Sequence, residues 1–575
     1  MILSIFHIKK TWFVLGIIIT AIVVIAGCHF TQETLPSDAQ SSCSVSPNGL
    51  TAAEFNTWFK SGSVSLNGAV NPANSVTFPS IPNCTFYKWS EQMFLWLTSP
   101  ATGIYGNTGL VLTSPAFFDV SLPDVNGDRV FEPHTGGLSM MKLRTPQHGL
   151  FDLPVLREKR TNKLLNIIAS PKGPSGNSVV LNDKGKRIEV SNFRINDQNR
   201  VILLDNTGKE IVSPRPIIAQ DSAQLKINPA NNLEMKMRRF PEQARNSLVA
   251  EIIVNKKHFF LDGSGSFHEV EQGQSQGEVL VAQNGSLVFY TLSVNNVYML
   301  FRTMQGSSPS GRLQFPTTQT QLNSVSAFAA AHNRSPIIDS FALAIEVKSS
   351  WVEAAGLSDS TSFIIMPATI PTYDKTNPSH WVPNGTKTVN LALVGIHVVG
   401  STAQHPEMLW ATFEHVSNAP AAAYSYNSTG GLKNISQPTS GVWNFCSASP
   451  TAPFNVPVNE LNGSDIVSID GGSIGPSNVR REMPFGMPGN NASSNSEVIV
   501  MNNVVRSLLD PNDVRKNYIQ TGTTWFIPGT TTQVGTNNLA NTTMETFHQP
   551  SNCFSCHNSA TVKVSHIFID TKPLF

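Results

Sequence analysis

His405-Pro406-Glu407-Met408-Leu409-Trp410-Ala411-Thr412-Phe413-Glu414-His415 is the stretch on which the fold class turns. Leu409, Ala411, Phe413 and His415 alternate with Trp410, Thr412 and Glu414, the two-residue period of a strand. Both sets carry bulky side chains, so this strand is expected to be packed on both faces or partly covered. Upstream, Phe341 to Val347, Ser362 to Ile370 and Val389 to Val399 have the same strand character.

Farther out, residues 109–305 break into short apolar runs separated by turn signals. Asn182-Asp183-Lys184-Gly185, Asp205-Asn206-Thr207-Gly208 and Asp262-Gly263 follow Val179 to Leu181, Val201 to Leu204 and His258 to Leu261. Gln283-Asn284-Gly285 divides Val279-Leu280-Val281 from Leu287-Val288-Phe289-Tyr290, a hairpin signal. Met235 to Glu251, with Lys236, Arg238, Arg239 and Arg245, reads as one solvated helical insertion. Asp124-Val125-Asn126-Gly127-Asp128 begins like a calcium loop, but the twelfth position is Thr135 where a bidentate carboxylate is needed. An ordinary turn is the better reading there.

Helical signals sit at the two ends. Thr51-Ala52-Ala53-Glu54 is a capping box before Phe55, Trp58 and Phe59, and Thr85 to Leu97 puts Phe86, Trp89, Met93, Trp96 and Leu97 on one side. Near the C-terminus Val498, Met501, Val505 and Leu508 share a helix face. Asp510-Pro511 then starts another helix through Val514 and Tyr518, and Thr542-Thr543-Met544-Glu545 is a further capping box. The expected fold is mixed, mainly β: a large β-rich body with a small C-terminal helical module. The expected divisions are a signal peptide over 1–27, a flexible tether over 28–50 and a helical segment over 51–108. After these come the body over 109–425, a loop-rich connector over 426–479 and the helical module over 480–575.

Charged residues make up 14 % of the 575-residue chain and the formal net charge is +1. With no block of like charges, nucleic acid is excluded as a partner class. Lys9 and Lys10 precede an apolar run from Trp12 to Gly27, the pattern of an export signal. It ends in Ile25-Ala26-Gly27-Cys28, which resembles the lipobox of bacterial lipoproteins. The resemblance implies cleavage before Cys28, a lipid on its thiol and membrane contact through that anchor. His29 rather than Asp after it implies the outer membrane.

Cys553-Phe554-Ser555-Cys556-His557 carries the chemistry. Two thiols three positions apart can add across the two vinyl groups of one porphyrin edge, and the adjacent imidazole is the proximal iron ligand of a c-type haem. A zinc site would need further ligands, for which His548 and His566 are near enough in sequence. A thioredoxin-type motif would need a βαβ frame, and too little chain follows. No Met follows His557, so the sixth ligand would come from His566, from His397, His405, His415, Met483 or Met487 upstream, or from none. Of the remaining cysteines, Cys43 and Cys84 form the preferred disulfide, which leaves Cys446 over.

Trp351 in Glu346-Val347-Lys348-Ser349-Ser350-Trp351, Gly395-Ile396-His397-Val398-Val399, Trp410 to His415, and Asn541 to Thr546 ahead of Cys553 resemble large bacterial cytochrome c family proteins over about 80–575. The resemblance implies one covalent haem c on Cys553, Cys556 and His557, with electron transfer to a redox partner protein or a small-molecule donor or acceptor. Two alternatives are a peroxidase-like haem oxidoreductase with an open iron position beside His397 or His415, and a lipoprotein that senses redox state or a gas.

Overall fold

The computed structural model describes residues 35–575 other than 45–47, 80–82, 123–127, 135–140, 142, 144–154, 159–163, 197–199, 218–247, 256, 269–276, 307–313, 463, 487–490, 531, 548, 550–552 and 558–564. Its centre is an eleven-stranded sheet. In chain order its strands are β1 (Phe117–Val120), β2 (Phe131–Pro133), β3 (Phe289–Asn295), β4 (Ile345–Glu353), β5 (Ile365–Asp374) and β6 (His380–Thr402). They continue as β7 (His405–His415), β8 (Asn459–Asn462), β9 (Asp465–Ser468), β10 (Tyr518–Phe526) and β11 (Gln533–Gly535). The order across the sheet is β2-β1-β3-β4-β6-β7-β10-β11, with β5 on the N-terminal part of β6 and the β8–β9 hairpin at its start. Every pairing is antiparallel. The mainly β expectation therefore holds, and the stretch 405–415 is the sheet's β7 between β6 and β10.

The register separates two faces. Val347 on β4, Ile396 and Val398 on β6, and Ala411 and Phe413 on β7 belong to one apolar cluster. It is covered by α1 (Ala52–Trp58) and above all α2 (Asn83–Leu97). Phe94 of α2 stacks on Phe413 at 4.4 Å, and a Cβ on Gly400 would come within 2.9 Å of the Trp89 ring. The aromatics of α2 are thus core packing. Thr51 caps α1 by accepting from the Glu54 N–H, while the Glu54 carboxylate turns away to Lys88 at 3.0 Å. The alternate residues, Glu346, Lys348 and Ser350, then His397, then Trp410, Thr412 and Glu414, form the other face.

Helices α3 (Asn296–Met304) and α4 (Gln319–Ala331) flank this second side and α5 (Ala492–Leu508) packs beside α2. Two short helices, α6 (Cys553–Cys556) and α7 (His566–Asp570), follow near the C-terminus. The segment expected as a helical module is thus part helix and part strand. Only one 3-10 turn, Val514–Asn517, precedes Tyr518, which opens β10 instead of ending a helix. The buried Thr521, Thr523 and Trp525 explain the strand: this edge of the sheet offers ladder hydrogen bonds that the local helical pattern cannot weigh.

Within 155–268 a second, five-stranded sheet and two smaller ones, of three and two strands, share a core of Ile168, Val180, Leu203, Ile252 and Leu261. The five-stranded sheet's strand Leu248–Val254 takes the last residues of the expected helical insertion, because Leu248, Val249, Ala250 and Ile252 are buried. The remainder of that insertion, and Asp124 and Thr135 of the calcium-like loop, lie outside the described residues. Asp128 pairs with Lys572 at 2.9 Å. The turns at Asn182, Asp205 and Asp262 share one hydrogen-bond plan. In each, the Asn or Asp side chain accepts from the N–H groups two and four residues on.

The tether expected over 28–50 is not wholly free. Leu35, Ala39 and Cys43 are buried, and a Cys43–Cys84 disulfide ties this segment to α2. Cys446 stays a thiol and donates to Asn478 Oδ1 at 3.2 Å. The connector 426–479 holds two hairpins, Tyr424–Ser428 with Gly431–Ile435 and β8 with β9, between irregular stretches.

Candidate functional site

Cys553 to His557 is one helical turn, closed by the His557 N–H donating to the Cys553 carbonyl at 2.9 Å. The His557 ring, 7 % exposed, lies 4.1 Å from the ring of Trp410 on β7. Phe554, inside the motif, sits 4.0 Å from Phe526 of β10 and 6.2 Å from Trp410. Cys553 is half-buried, its Sγ 3.7 Å from the Leu539 carbonyl. The turn is therefore seated on aromatic groups at the β7–β10 end of the second face.

What holds it there is a polar lattice. Asn541 donates to Thr412 Oγ1 at 3.1 Å and to the Phe413 carbonyl at 2.9 Å. The Thr542 N–H donates to Glu414 Oε2 at 3.0 Å, and the Thr543 and Ser350 hydroxyls share a 2.7 Å hydrogen bond. Tyr290 on β3 donates to the Thr543 carbonyl at 2.7 Å. Glu545 Oε1 lies 2.9 Å from His397 Nε2, and its other oxygen accepts from the Asn541 N–H. Gly395 makes the close approach possible. A Cβ there would fall 2.6 Å from Asn541 Oδ1 and 2.7 Å from both Ser350 Oγ and Thr543 Oγ1.

The capping box expected at Thr542 is displaced. Asn541, one residue earlier, accepts from the Thr543 N–H at 3.0 Å, and residues 542–547 form turns rather than a helix. Asn and Thr side chains compete well with helical backbone bonds, and here the sheet supplies further partners.

Beneath this segment Glu414 pairs with Arg481, both essentially inaccessible to solvent. Downstream of the motif, Ser565 donates to Glu346 Oε2 at 2.6 Å and shares a hydrogen bond with Tyr298. Burial pushes the Glu346 carboxyl up to about 7, although the Ser565 hydroxyl works against it.

The structure separates the sequence candidates for the sixth ligand. His415 is on the α2 side, stacked on Phe363 at 3.7 Å, with Nδ1 at Ser417 and Nε2 at the Ser362 carbonyl. It faces away from His557, and burial pushes its pKa down to about 3. His405 also packs toward α2, edge-on to Phe86 at 4.9 Å, with Nδ1 2.9 Å from Glu407. His397 shares the face of His557 and is engaged by Glu545. Met483 is half-buried beside Arg481, whereas Met487, His548 and the His566 side chain lie outside the described residues.

Among the described residues no group of three or more His, Cys, Asp or Glu side chains gathers in a way that could hold a metal ion. None of their helices is long and apolar enough to cross a membrane. Sequence reasoning singled out His397 and His557 but missed their neighbours, Glu545 against His397 and Trp410 beneath His557, and the Glu414–Arg481 pair with its Thr542 contact. The signal available was the polar half of the 410–414 alternation, which demands a polar cover once the strand is buried. No family model, curated protein or solved structure matches the chain.

Proposed function

We propose that this chain is an electron-transfer lipoprotein of the cell envelope. In this reading it carries one covalent haem c on Cys553, Cys556 and His557, is anchored through Cys28 and serves a redox partner protein or a small-molecule donor or acceptor. The observation that carries the reading is the helical turn of the Cys-x-x-Cys-His string seated on Trp410 and Phe526.

The donor set suits the group. A turn closed from His557 to Cys553 sets positions 553 and 556 one helical turn apart, the spacing two thioether links require, with an imidazole directly after them. The aromatic wall offers an apolar macrocycle a surface poorer in water. Haem c, when bound, supplies a one-electron iron couple. The chain's own part is to hold the site rigid: Asn541, Thr543 and Glu545 fasten the preceding segment to the sheet, and Ser565 fastens the following one. A turn docked against sheet strands is positioned more precisely than one on a free loop, which suits transfer without rearrangement.

The test is a haem stain on denaturing gel with a reduced-minus-oxidised visible spectrum of protein matured with haem c machinery. Retained stain and a low-spin spectrum are expected, with the stain lost in Cys553→Ala/Cys556→Ala. A covalent but high-spin iron that binds cyanide readily would turn the assignment to a haem oxidoreductase. Absence of covalent haem would end the proposal.

A further inference from the structure

We propose that Glu346 takes up a proton when the Cys553–His557 centre takes up an electron, so that the protein moves the two together. The inference rests on the haem reading and adds a proton to its one-electron step. It starts from one rung of the main sheet. Phe118, Val294, Glu346, Val399 and Trp410 are successive cross-strand partners from β1 through β3, β4 and β6 to β7. Cross-strand partners share a face, and Glu346 is the one charged residue among the five.

The motif and this carboxyl therefore stand over the same rung. Two strand spacings, about 10 Å, separate the backbones of Glu346 and Trp410. The His557 ring lies 4.1 Å from the Trp410 ring. Val399, on the strand between them, is buried with Trp410, Ile567 and Phe568 in one apolar cluster. Charges separated by such packing are screened far less than charges separated by water.

Glu346 is poised between its two forms. It is buried between Val294 and Val399, a setting that disfavours the anion. Against that, Ser565 donates to Oε2 at 2.6 Å and shares a 2.6 Å hydrogen bond with Tyr298 of α3. Burial pushes the carboxyl up to about 7, while Ser565, then Lys348 and Arg129, favour the charged form. The other groups on this side are engaged. Glu545 holds His397, Arg129 donates to the Ser121 carbonyl and feels Asp570, and Arg302 donates to the Phe568 carbonyl. Burial holds the Tyr298 hydroxyl well above its ordinary value, so it stays protonated.

An electron gained at the motif adds negative charge across the apolar cluster and tightens proton binding at Glu346. By linkage, the bound proton favours the reduced form by the same factor. One electron comes from the donor and one proton from water, and both leave again on oxidation.

The experiment measures the midpoint potential of the haem-loaded full chain against pH, with Glu346→Gln and Glu91→Gln beside the unsubstituted protein. Glu91 is the control, a buried carboxyl on α2, across the sheet from the motif. In the unsubstituted protein and in Glu91→Gln, the potential is expected to fall as pH rises from about 6 to about 9. That fall corresponds to a several-fold tighter proton in the reduced form, and Glu346→Gln should abolish it. In the haem-free Cys553→Ala/Cys556→Ala chain, the infrared band of a protonated carboxyl that Glu346→Gln removes should fade over the same range. A slope that survives Glu346→Gln would hand the proton to the His397–Glu545 pair and overturn the proposal. So would equal loss in Glu91→Gln, or a Glu346 already ionised at about pH 6 in the haem-free chain. Absence of covalent haem defeats the haem reading and this proposal with it, whereas covalent haem with the slope unchanged defeats the proton coupling alone.

Discussion

On one face of the main sheet, α2 lays Trp89, Phe94 and Trp96 against Ile396, Val398 and Phe413, an aromatic contact surface sealed from water. On the other face, residues 539–571 are fastened to the same strands through Glu346, Ser350, His397, Thr412 and Glu414. Apolar packing is broadly tolerant, because dispersion and burial depend weakly on direction. A buried hydrogen-bonded lattice is not, because each group left without its partner keeps its full desolvation cost. The Cys553–His557 turn sits on the directional face, where position is specified most sharply.

Isosteric substitutions should expose the contrast. Glu414→Gln keeps the shape but removes the charge that faces buried Arg481 and is expected to cost about 3–5 kcal/mol in urea unfolding. Replacing both partners by apolar residues, Glu414→Leu with Arg481→Met, should recover the part owed to the unpaired Arg481 charge, with the Thr542 N–H still short of its acceptor. If the single change is as mild as the double one, the directional account of this face fails.

Gly395→Ala tests the closeness of the cover. Its methyl would meet Asn541 Oδ1 at 2.6 Å, and relieving that overlap should cost about 1–3 kcal/mol. Limited proteolysis should then cut within 539–571 sooner than in the unaltered protein, while α2 stays protected. Cleavage that begins at α2 would show that the strain is not local to this face.

Phe94→Leu on the apolar face should cost only about 1–1.5 kcal/mol, since the stack on Phe413 is replaced by other apolar contact. A thermal shift as large as that of Glu414→Gln would erase the distinction between the faces.

His415 should be silent at neutral pH. Buried on the α2 side, it is held neutral, with a folded pKa of about 3 against about 6.5 in the unfolded chain. Its contribution is complete above the unfolded value and is lost as pH falls toward the folded one, at up to about 1.4 kcal/mol per pH unit. Stability measured from pH 7 down to 4 should show that slope, and His415→Gln should flatten it. An unchanged slope would assign acid sensitivity to other groups.

Much of the architecture was legible. Alternation along 405–415 and 389–399 marks the strands of the main sheet, the Gln283-Asn284-Gly285 turn is present, and the aromatic spacing of 85–97 marks α2. The Cys43–Cys84 pairing, which the sequence favoured without deciding it, is formed. Less legible was the C-terminal part, where Tyr518 to Phe526 join the sheet as β10 through a ladder with β7. Long-range ladder partners override a local helical pattern when the sheet edge buries the strand on both sides. Of the candidate site, Cys553, Cys556 and His557 stand contiguous in sequence, whereas nothing local identifies Trp410 as the surface beneath His557.

Taken alone, the sequence determined those properties written in short stretches: the strand periods, the helix with its aromatic stripe and the spacing of two thiols and an imidazole. Periodicity and covalent neighbourhood act over a few residues, so they can be read without a fold. Only the tertiary structure decided which face of the sheet carries the motif and which histidine faces away from it. It also decided that Thr542 meets Glu414 across 128 residues and Ser565 meets Glu346 across 219. Those contacts depend on strand register, and a shift of one residue would exchange the two faces along the whole strand.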